Sequence, residues 1–170
     1  GEKFNTLLSD RLVNAIKISG LTCMRQTTGL VYHNDEDDIF ERCVKEIAWS
    51  QNWISSNSKY LTLARNVDDI ILAKQKNMLA VTLGYQNSLS IENKMKRAKT
   101  FRDLGVLTMQ LTYNGKNQIG GGANVDGTIP LSKLGYSIIE EMNKQNVLID
   151  LSHGGEKTTI DSINASVKPV

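Results

Sequence analysis

Residues 147–155 read Val-Leu-Ile-Asp-Leu-Ser-His-Gly-Gly, and this stretch decides the fold. An apolar run ends abruptly at a polar segment that contains His153, one of the two histidines of the chain. Helical patterns precede the stretch over residues 134–145 and follow it over residues 157–165. A buried strand between two helices, with an imidazole at its carboxyl end, is where α/β barrels and open α/β sheets place their active sites. We therefore expect a functional site at His153.

The same alternation of strand and helix runs through the chain. Apolar runs that predict strands lie at residues 21–25, 78–83, 106–111, 147–151 and 168–170. Alternation with helices predicts parallel strands joined by right-handed crossovers, and hence the α/β class. About five strands fall short of the eight that close a (β/α)8 barrel. Residues 1–170 are therefore interpreted as one domain, either an open sheet or part of a larger barrel, and a strand that begins at Lys168 favours the partial barrel.

Capping residues predict where several helices begin and end. Gly20 is placed to end the first helix, because glycine readily adopts the left-handed conformation found there. Asn66 and Ser132 are placed to begin two later helices with their side-chain oxygens. Ser90 is expected to begin a further helix that runs to Leu104.

Composition is that of a globular protein and excludes several classes. The 170 residues carry a net charge of +2 from 20 basic and 18 acidic side chains. A basic cluster within residues 94–99 is expected to be a solvated helix face, so no nucleic-acid partner is predicted. Cys23 and Cys43 lack metal-binding spacing and are expected to be free thiols. No run of the sequence is long and apolar enough to predict a transmembrane segment, and no compartment is predicted.

Polar residues follow three of the predicted strands. These segments are residues 85–87, residues 113–114 and His153. Because the carboxyl ends of parallel strands meet at one edge of a sheet, we expect these side chains to lie close together. A structural, hydrogen-bonded role is the alternative for His153. The other histidine, His33, lies in a polar segment and is expected to be solvated.

Two further features have alternative interpretations. Asp150 stands inside an apolar run, where a carboxylate is costly unless it is paired, so we expect a partner at the barrel centre or between layers. Pairing is favoured over catalysis for this residue. The glycine-rich stretch at residues 119–123 lacks the Lys-Ser/Thr ending of a phosphate-binding loop. It is expected to be a mobile loop over the site.

Several separated motifs in one order carry a family resemblance. They are Phe101-Arg-Asp-Leu-Gly-Val, Gln110-Leu-Thr-Tyr-Asn-Gly-Lys-Asn, Leu134-Gly-Tyr followed by Glu141-Met-Asn, and Leu148-Ile-Asp-Leu-Ser-His. With them the chain resembles the membrane (renal) dipeptidase family of zinc metallopeptidases. The resemblance implies a partial chain, about half of a TIM-like (β/α)8 barrel of the metal-dependent hydrolase type. The family's first strand, with its metal-binding His-x-Asp pair, and the C-terminal part of the barrel have no counterpart in the sequence.

The resemblance also implies roles for particular residues. His153 matches a metal-binding histidine of the family, whose members bind two zinc ions and hydrolyse dipeptides with a metal-bridging water. Gln86 stands where the family has a metal-bridging glutamate. Tyr113 occupies the position of a substrate-binding histidine and, with Asn114, is interpreted as a wall on the substrate side. No catalytic residue is assigned.

Three hypotheses about function follow. The first is a metal-dependent, dipeptidase-like hydrolase that acts on dipeptides or similar small substrates. The second is a non-catalytic homologue that binds small peptides or other ligands, because the amide of Gln86 is a poor bridge between two cations. The third is a phosphate site in an unrelated α/β domain. Since half a barrel exposes strand edges, a homo-oligomer is also considered.

Overall fold

The computed structural model describes residues 7–29 and 38–170 of the chain. Its helices are α1 Asp10–Ser19, α2 Ile39–Ser56, α3 Val67–Gln75, α4 Lys96–Asp103, α5 Lys133–Gln145 and α6 Glu156–Ala165, and a short 3₁₀ helix covers Ser88–Ile91. Its strands are β1 Cys23–Thr28, β2 Leu61–Leu63, β3 Leu79–Tyr85, β4 Val106–Gln110 and β5 Leu148–Asp150. The expectation for His33 lies outside the described residues.

All five strands are parallel, and β3 is the strand on which the sheet is built. β1 pairs with residues 80–85 of β3, β2 with residues 79–81 and β4 with residues 83–85, while β5 pairs with β4. A strand has only two edges, and β1 occupies one of them. β2 and β4 therefore share the other edge, one along each half of β3. The open, parallel α/β sheet confirms the predicted fold class.

The helices lie on both faces of this sheet. The crossover from β1 to β2 passes β3, and the crossover from β2 leads back to β3, so right-handed connections place α2 and α3 on opposite faces. Packing agrees with this arrangement. Ala73 of α3 clusters with Ala80, whereas Ile47 of α2 belongs to the larger core that contains Val81. Neighbouring positions of a strand point to opposite faces, so the two clusters lie on either side of β3.

The larger core fills the space between the sheet and the helices α2, α4 and α5. Leu83 and Tyr85 of β3, Phe101 of α4 and Met109 of β4 are fully buried in it. The rings of Tyr85 and Phe101 meet edge to face with their centroids 4.9 Å apart, a favoured aromatic geometry. Burying several such side chains supplies the main free energy that holds the sheet against these helices.

The opposite face of the sheet is polar at its carboxyl end. Strand alternation places on it the residues Arg25, Thr82, Gly84, Thr108, Gln110 and Asp150. Arg25 and Asp150 form an ion pair across this face. The prediction that Asp150 has a partner is therefore confirmed, and the partner comes from β1.

Several predicted boundaries are confirmed. Gly20 ends α1 in the left-handed conformation with φ of 69°. The side chains of Asn66 and Ser132 accept hydrogen bonds from the backbone of the first turns of α3 and α5. Neither Cys23 nor Cys43 is part of a disulfide. None of the described helices combines the length and apolar character needed to cross a membrane.

The prediction that Ser90 begins a long helix is wrong. The side chain of Asn87 captures the backbone N–H of Leu89 and starts a 3₁₀ helix that already contains Ser90. Glu92 then adopts φ of 51°, which interrupts the helical path, and α4 begins only at Lys96. The cap at Asn87 therefore begins the helical segment that Ser90 was expected to begin.

Two other differences concern strands. Residues 168–170 form no strand, and a bend at residues 167–168 follows α6. β2 was not predicted, since a strand of three residues is too short to show a periodic pattern. Neither difference changes the strand order β1-β3-β4-β5, which positions the predicted site residues.

We expect the 170-residue chain to self-associate. Within the described residues β5 pairs only with β4. The N–H and C=O groups on its other edge therefore have no partner strand. Leu148, the first residue of β5, is 47% exposed. Leu148→Lys should weaken association at least about tenfold, because a charge at an edge strand opposes pairing. Ile18→Lys, which changes an exposed residue of α1, is the control. Sedimentation of a concentration-independent monomer of the unaltered chain would contradict this prediction.

Candidate functional site

The carboxyl ends of β4 and β5 bring together three of the predicted site residues. The rings of Tyr113 and His153 stack with their centroids 4.2 Å apart and an interplanar angle of 25°. The Nδ1 atom of His153 lies 2.8 Å from Oδ1 of Asn114. All three side chains are half-buried, so they are held in place and still reachable.

The contact with Asn114 determines which nitrogen of His153 is available. An amide oxygen only accepts hydrogen bonds, so Nδ1 of His153 donates to it. In the neutral ring, Nε2 then keeps its lone pair. Metal-binding histidines are commonly oriented in this way, with the second ring nitrogen bound to an oxygen of the protein. His153 is therefore prepared to act as a ligand through Nε2.

Side chains at the end of β4 hold the backbone around His153 in an unusual conformation. Its φ is 61°, in the left-handed region that residues with a Cβ rarely adopt. The hydroxyl of Thr112 donates to the carbonyl of His153 over 3.3 Å. The side-chain amide of Gln110 donates to the carbonyl of Ser152 over 3.1 Å. The end of β4 thus supports the turn that follows β5.

Gln86 and Asn87, at the end of β3, have different environments. Asn87 is buried, and its Oδ1 accepts hydrogen bonds from Asn117 over 3.1 Å and from the backbone of Leu89 over 3.3 Å. Asn87 therefore connects the end of β3 to the loop that contains Asn117. The side chain of Gln86 is half-buried and has no hydrogen-bond partner among the described residues. Gln86 lies at the end of β3, the strand next to β4.

The glycine-rich stretch is packed, so the expectation of a mobile loop is wrong. Residues 119–122 are buried. Gly121 donates to the Thr158 hydroxyl over 2.9 Å and accepts from Gly155 over 2.9 Å, while Gly122 bridges to Gly154 beside His153. A Cβ at Gly122 would lie 1.8 Å from the carbonyl oxygen of Tyr113. These glycines permit close backbone contact and offer no phosphate-binding loop.

Two residues that organise this region were not predicted from the sequence. Asn117 donates to Asn87 and to the carbonyl of Leu111, and its Oδ1 accepts from the backbone of residues 119 and 120. Nothing in its spacing indicated this role. Arg25 was also missed, although a charged residue inside a strand was a signal of the same kind as Asp150.

The described residues alone do not fit a two-zinc centre. Within residues 7–29 and 38–170 no group of three or more His, Cys, Asp or Glu side chains could hold a metal ion. The site offers one imidazole and one amide among its predicted ligands, whereas zinc sites in proteins use three or four nitrogen, sulfur or carboxylate ligands per ion. His153 is the one predicted ligand here whose chemistry suits zinc.

The charge of Asp150 is stabilised where the turn to His153 begins. Burial opposes ionisation of the carboxyl group, but hydrogen bonds from Ser152 and Arg25 and the charge of Arg25 outweigh it, and the pKa of Asp150 lies below its usual range. One carboxylate oxygen accepts from the backbone N–H of Ser152 over 2.9 Å, and the other meets Arg25. Asp150 is thus ionised at neutral pH and links the sheet to the turn.

Comparisons with known proteins agree with this architecture. The sequence profile of the family described as membrane dipeptidase (peptidase family M19) matches residues 22–170. Dipeptidase tcpJ of Claviceps purpurea is 26% identical over 142 residues, which are 82% of this chain and 32% of that protein. The chain therefore spans about a third of the length of this relative.

Two solved structures share the fold. An amidohydrolase from Pseudomonas aeruginosa superposes with a TM-score of 0.86 at 30% identity, over 96% of this chain and 48% of that one. A metallo peptidase from Rhodobacter sphaeroides, solved with a phosphinate mimic of the dipeptide L-Ala-D-Ala, has a TM-score of 0.66 at 16% identity. That match covers 76% of this chain and 38% of the other, and it shows the fold alone.

Gly122→Ala should strongly destabilise the fold. The added methyl group would overlap the carbonyl of Tyr113, so the loop and the end of β4 would have to separate. We expect the free energy of unfolding to fall by more than about 3 kcal/mol, a loss typical of severe steric changes. Gly115→Ala is the matched control, since a Cβ there meets nothing within 4 Å. Equal urea denaturation curves for the two variants would contradict the packed loop.

The stability of the fold should decrease in acid partly through Asp150. Because its pKa is lower in the folded than in the unfolded chain, the carboxylate stabilises the fold above its ordinary pKa, and this contribution is lost as the pH falls through the folded value. Asp150→Asn should therefore flatten the pH dependence of the free energy of unfolding below about pH 4. Urea denaturation across this range measures it. Asp103→Asn, which removes an exposed ion-pair carboxylate, is the control and should change the slope less.

Proposed function

Because the chain belongs to the membrane dipeptidase family, we propose that its strand-end site serves metal-dependent hydrolysis of a dipeptide amide bond in the whole protein. The observation that carries the proposal is the arrangement of His153. Its Nδ1 is bound to Asn114, its ring is stacked on Tyr113, and its Nε2 is left to bind a ligand at the carboxyl edge of the sheet.

In this proposal His153 is a zinc ligand. Bound zinc supplies a Lewis acid for the scissile carbonyl and lowers the pKa of a coordinated water. Gln86 stands at the bridging position in this proposal, and the described residues offer no group of three or more His, Cys, Asp or Glu side chains that would complete the site. What this chain contributes is an oriented imidazole, and the rigid turn around residue 153 limits how far that ring can move.

Tyr113 and Asn114 would form the wall against which a small substrate binds. Both are half-buried at the end of β4, next to His153. A dipeptide is a fitting substrate class, since a structural neighbour with the same fold was solved with a dipeptide mimic. Stacking on His153 holds the Tyr113 ring in one orientation, which favours a substrate of defined shape.

Gln86 supports a second candidate function, the binding of small peptides without catalysis. A neutral amide provides no charge to offset two cations, and carboxylate or imidazole ligands bind zinc better. The amide of Gln86 makes no hydrogen bond within the described residues, so it could bind a peptide group of a ligand directly. A binding protein with this site would need no metal.

Zinc content and dipeptide hydrolysis of the whole protein, measured beside its Gln86→Glu variant, distinguish the two candidates. We expect zinc and hydrolysis in the unaltered protein, and zinc affinity about tenfold or more higher in Gln86→Glu, because a carboxylate adds charge to the site. Gln118→Glu adds the same charge at an exposed loop position and should leave zinc affinity unchanged.

The opposite result would favour the binding protein. A protein without zinc and without hydrolysis, in which Gln86→Glu restores both, would contradict the hydrolase proposal. Absence of hydrolysis in both proteins would also contradict it. Binding of an intact dipeptide by the zinc-free protein, followed by calorimetry, would then support the second candidate.

A further inference from the structure

The side chain of Arg25 crosses the polar face of the sheet to reach Asp150. Arg25 belongs to β1 and Asp150 to β5, and the strands β3 and β4 lie between them. Both side chains of this ion pair are partly exposed, Arg25 by 30% and Asp150 by 15%. The pair therefore connects two strands that are not hydrogen-bonded to each other.

A glycine in β3 leaves space for the side chain of Arg25 on this face of the sheet. A Cβ at Gly84 of β3 would lie 2.9 Å from Cδ of Arg25 and 2.9 Å from Oγ1 of Thr108. Gly84 has no positive φ, so the missing Cβ matters for space and not for backbone conformation. The glycine therefore provides a groove in which the stem of Arg25 lies.

Asp150 links Arg25 to the turn that contains His153. While one of its oxygens meets Arg25, the other accepts from the backbone N–H of Ser152 over 2.9 Å. The next residue is His153, whose left-handed backbone is unfavourable for a side chain with a Cβ. Such a conformation persists only where the surrounding contacts hold it.

We propose that Arg25 is a positioning residue for His153, which acts by fixing Asp150 and through it the turn from β5 to the imidazole. A planar guanidinium can hold a carboxylate in a defined orientation. With Arg25 in place, Asp150 holds the Ser152 amide, and the ring of His153 is kept against Tyr113 and Asn114. The role of the positioned ring as a zinc ligand rests on the proposed function, whereas the positioning itself does not.

The experiment uses the stacked rings as a reporter that needs neither zinc nor activity. Stacking at 4.2 Å shifts the ring proton resonances of Tyr113 and His153 upfield, which NMR measures in the zinc-free protein. Arg25→Met and Asp150→Asn should each lose at least half of this shift. Lys157→Met, which breaks the ion pair between Lys157 and Asp161 in α6, is the control and should keep it.

A double variant tests whether Arg25 acts through Asp150. If it does, Arg25→Met combined with Asp150→Asn should lose no more of the shift than Asp150→Asn alone. Zinc affinity of the whole protein should fall about tenfold or more in Arg25→Met, as for other residues that orient a metal ligand. Arg25→Lys, which keeps the charge on a single nitrogen, should recover part of both losses.

Other outcomes would overturn the proposal. A folded Arg25→Met protein with unchanged Tyr113 and His153 resonances would do so, as would additive losses in the double variant. If the variants do not fold, the unaltered protein still decides the question. Guanidinium protons of Arg25 that exchange with water as fast as those of the exposed Arg11 would show that Arg25 does not hold the carboxylate of Asp150 in place. Loss of stacking in Arg25→Met of a protein that binds no zinc would support the positioning role and reject the hydrolase proposal.

Discussion

Parallel pairing on β3 is the constraint on which the rest of this structure depends. β3 pairs with β1 along one edge and with β2 and β4 along the other, and β5 continues from β4. Because every strand runs in the same direction, the turns after β3, β4 and β5 open at one edge. The stacked pair of Tyr113 and His153 is a direct consequence, since the two residues come from neighbouring strands.

Two glycines, which have no side chain, are as important to the site as the side chains around it. Gly84 leaves the groove in which Arg25 lies, and Gly122 lets the loop after β4 touch the backbone of Tyr113. A protein interior is close-packed, so a single methyl group at either position would force its neighbours apart. The glycines that resembled a phosphate-binding loop are therefore better understood as contacts that hold the β4 and β5 turns together.

The site that results is largely neutral around one oriented imidazole. Gln86, Asn87, Tyr113 and Asn114 carry no charge, and the nearby carboxylate of Asp150 is already paired with Arg25. Family membership indicates metallopeptidase ancestry, while this chain covers about a third of its relative tcpJ and about half of the Pseudomonas amidohydrolase structure. In both proposed functions, these oriented polar groups at the strand edge would contact a small peptide.

The sequence by itself determined the parallel α/β class, the strands that carry His153 and Tyr113, and the helix caps at Asn66 and Ser132, because these follow from local periodicity and short-range hydrogen bonds. It also indicated that Asp150 needed a partner, since an unpaired buried carboxylate is too costly. Sequence patterns misplaced the helix start at Ser90, because the competing cap at Asn87 could not be ranked against it. Only the tertiary structure decided that the partner of Asp150 is Arg25, that residues 119–122 are packed, and that Asn114 orients His153. Each of these depends on the distance in space between segments far apart in the chain, which strand order and register set and local sequence does not encode.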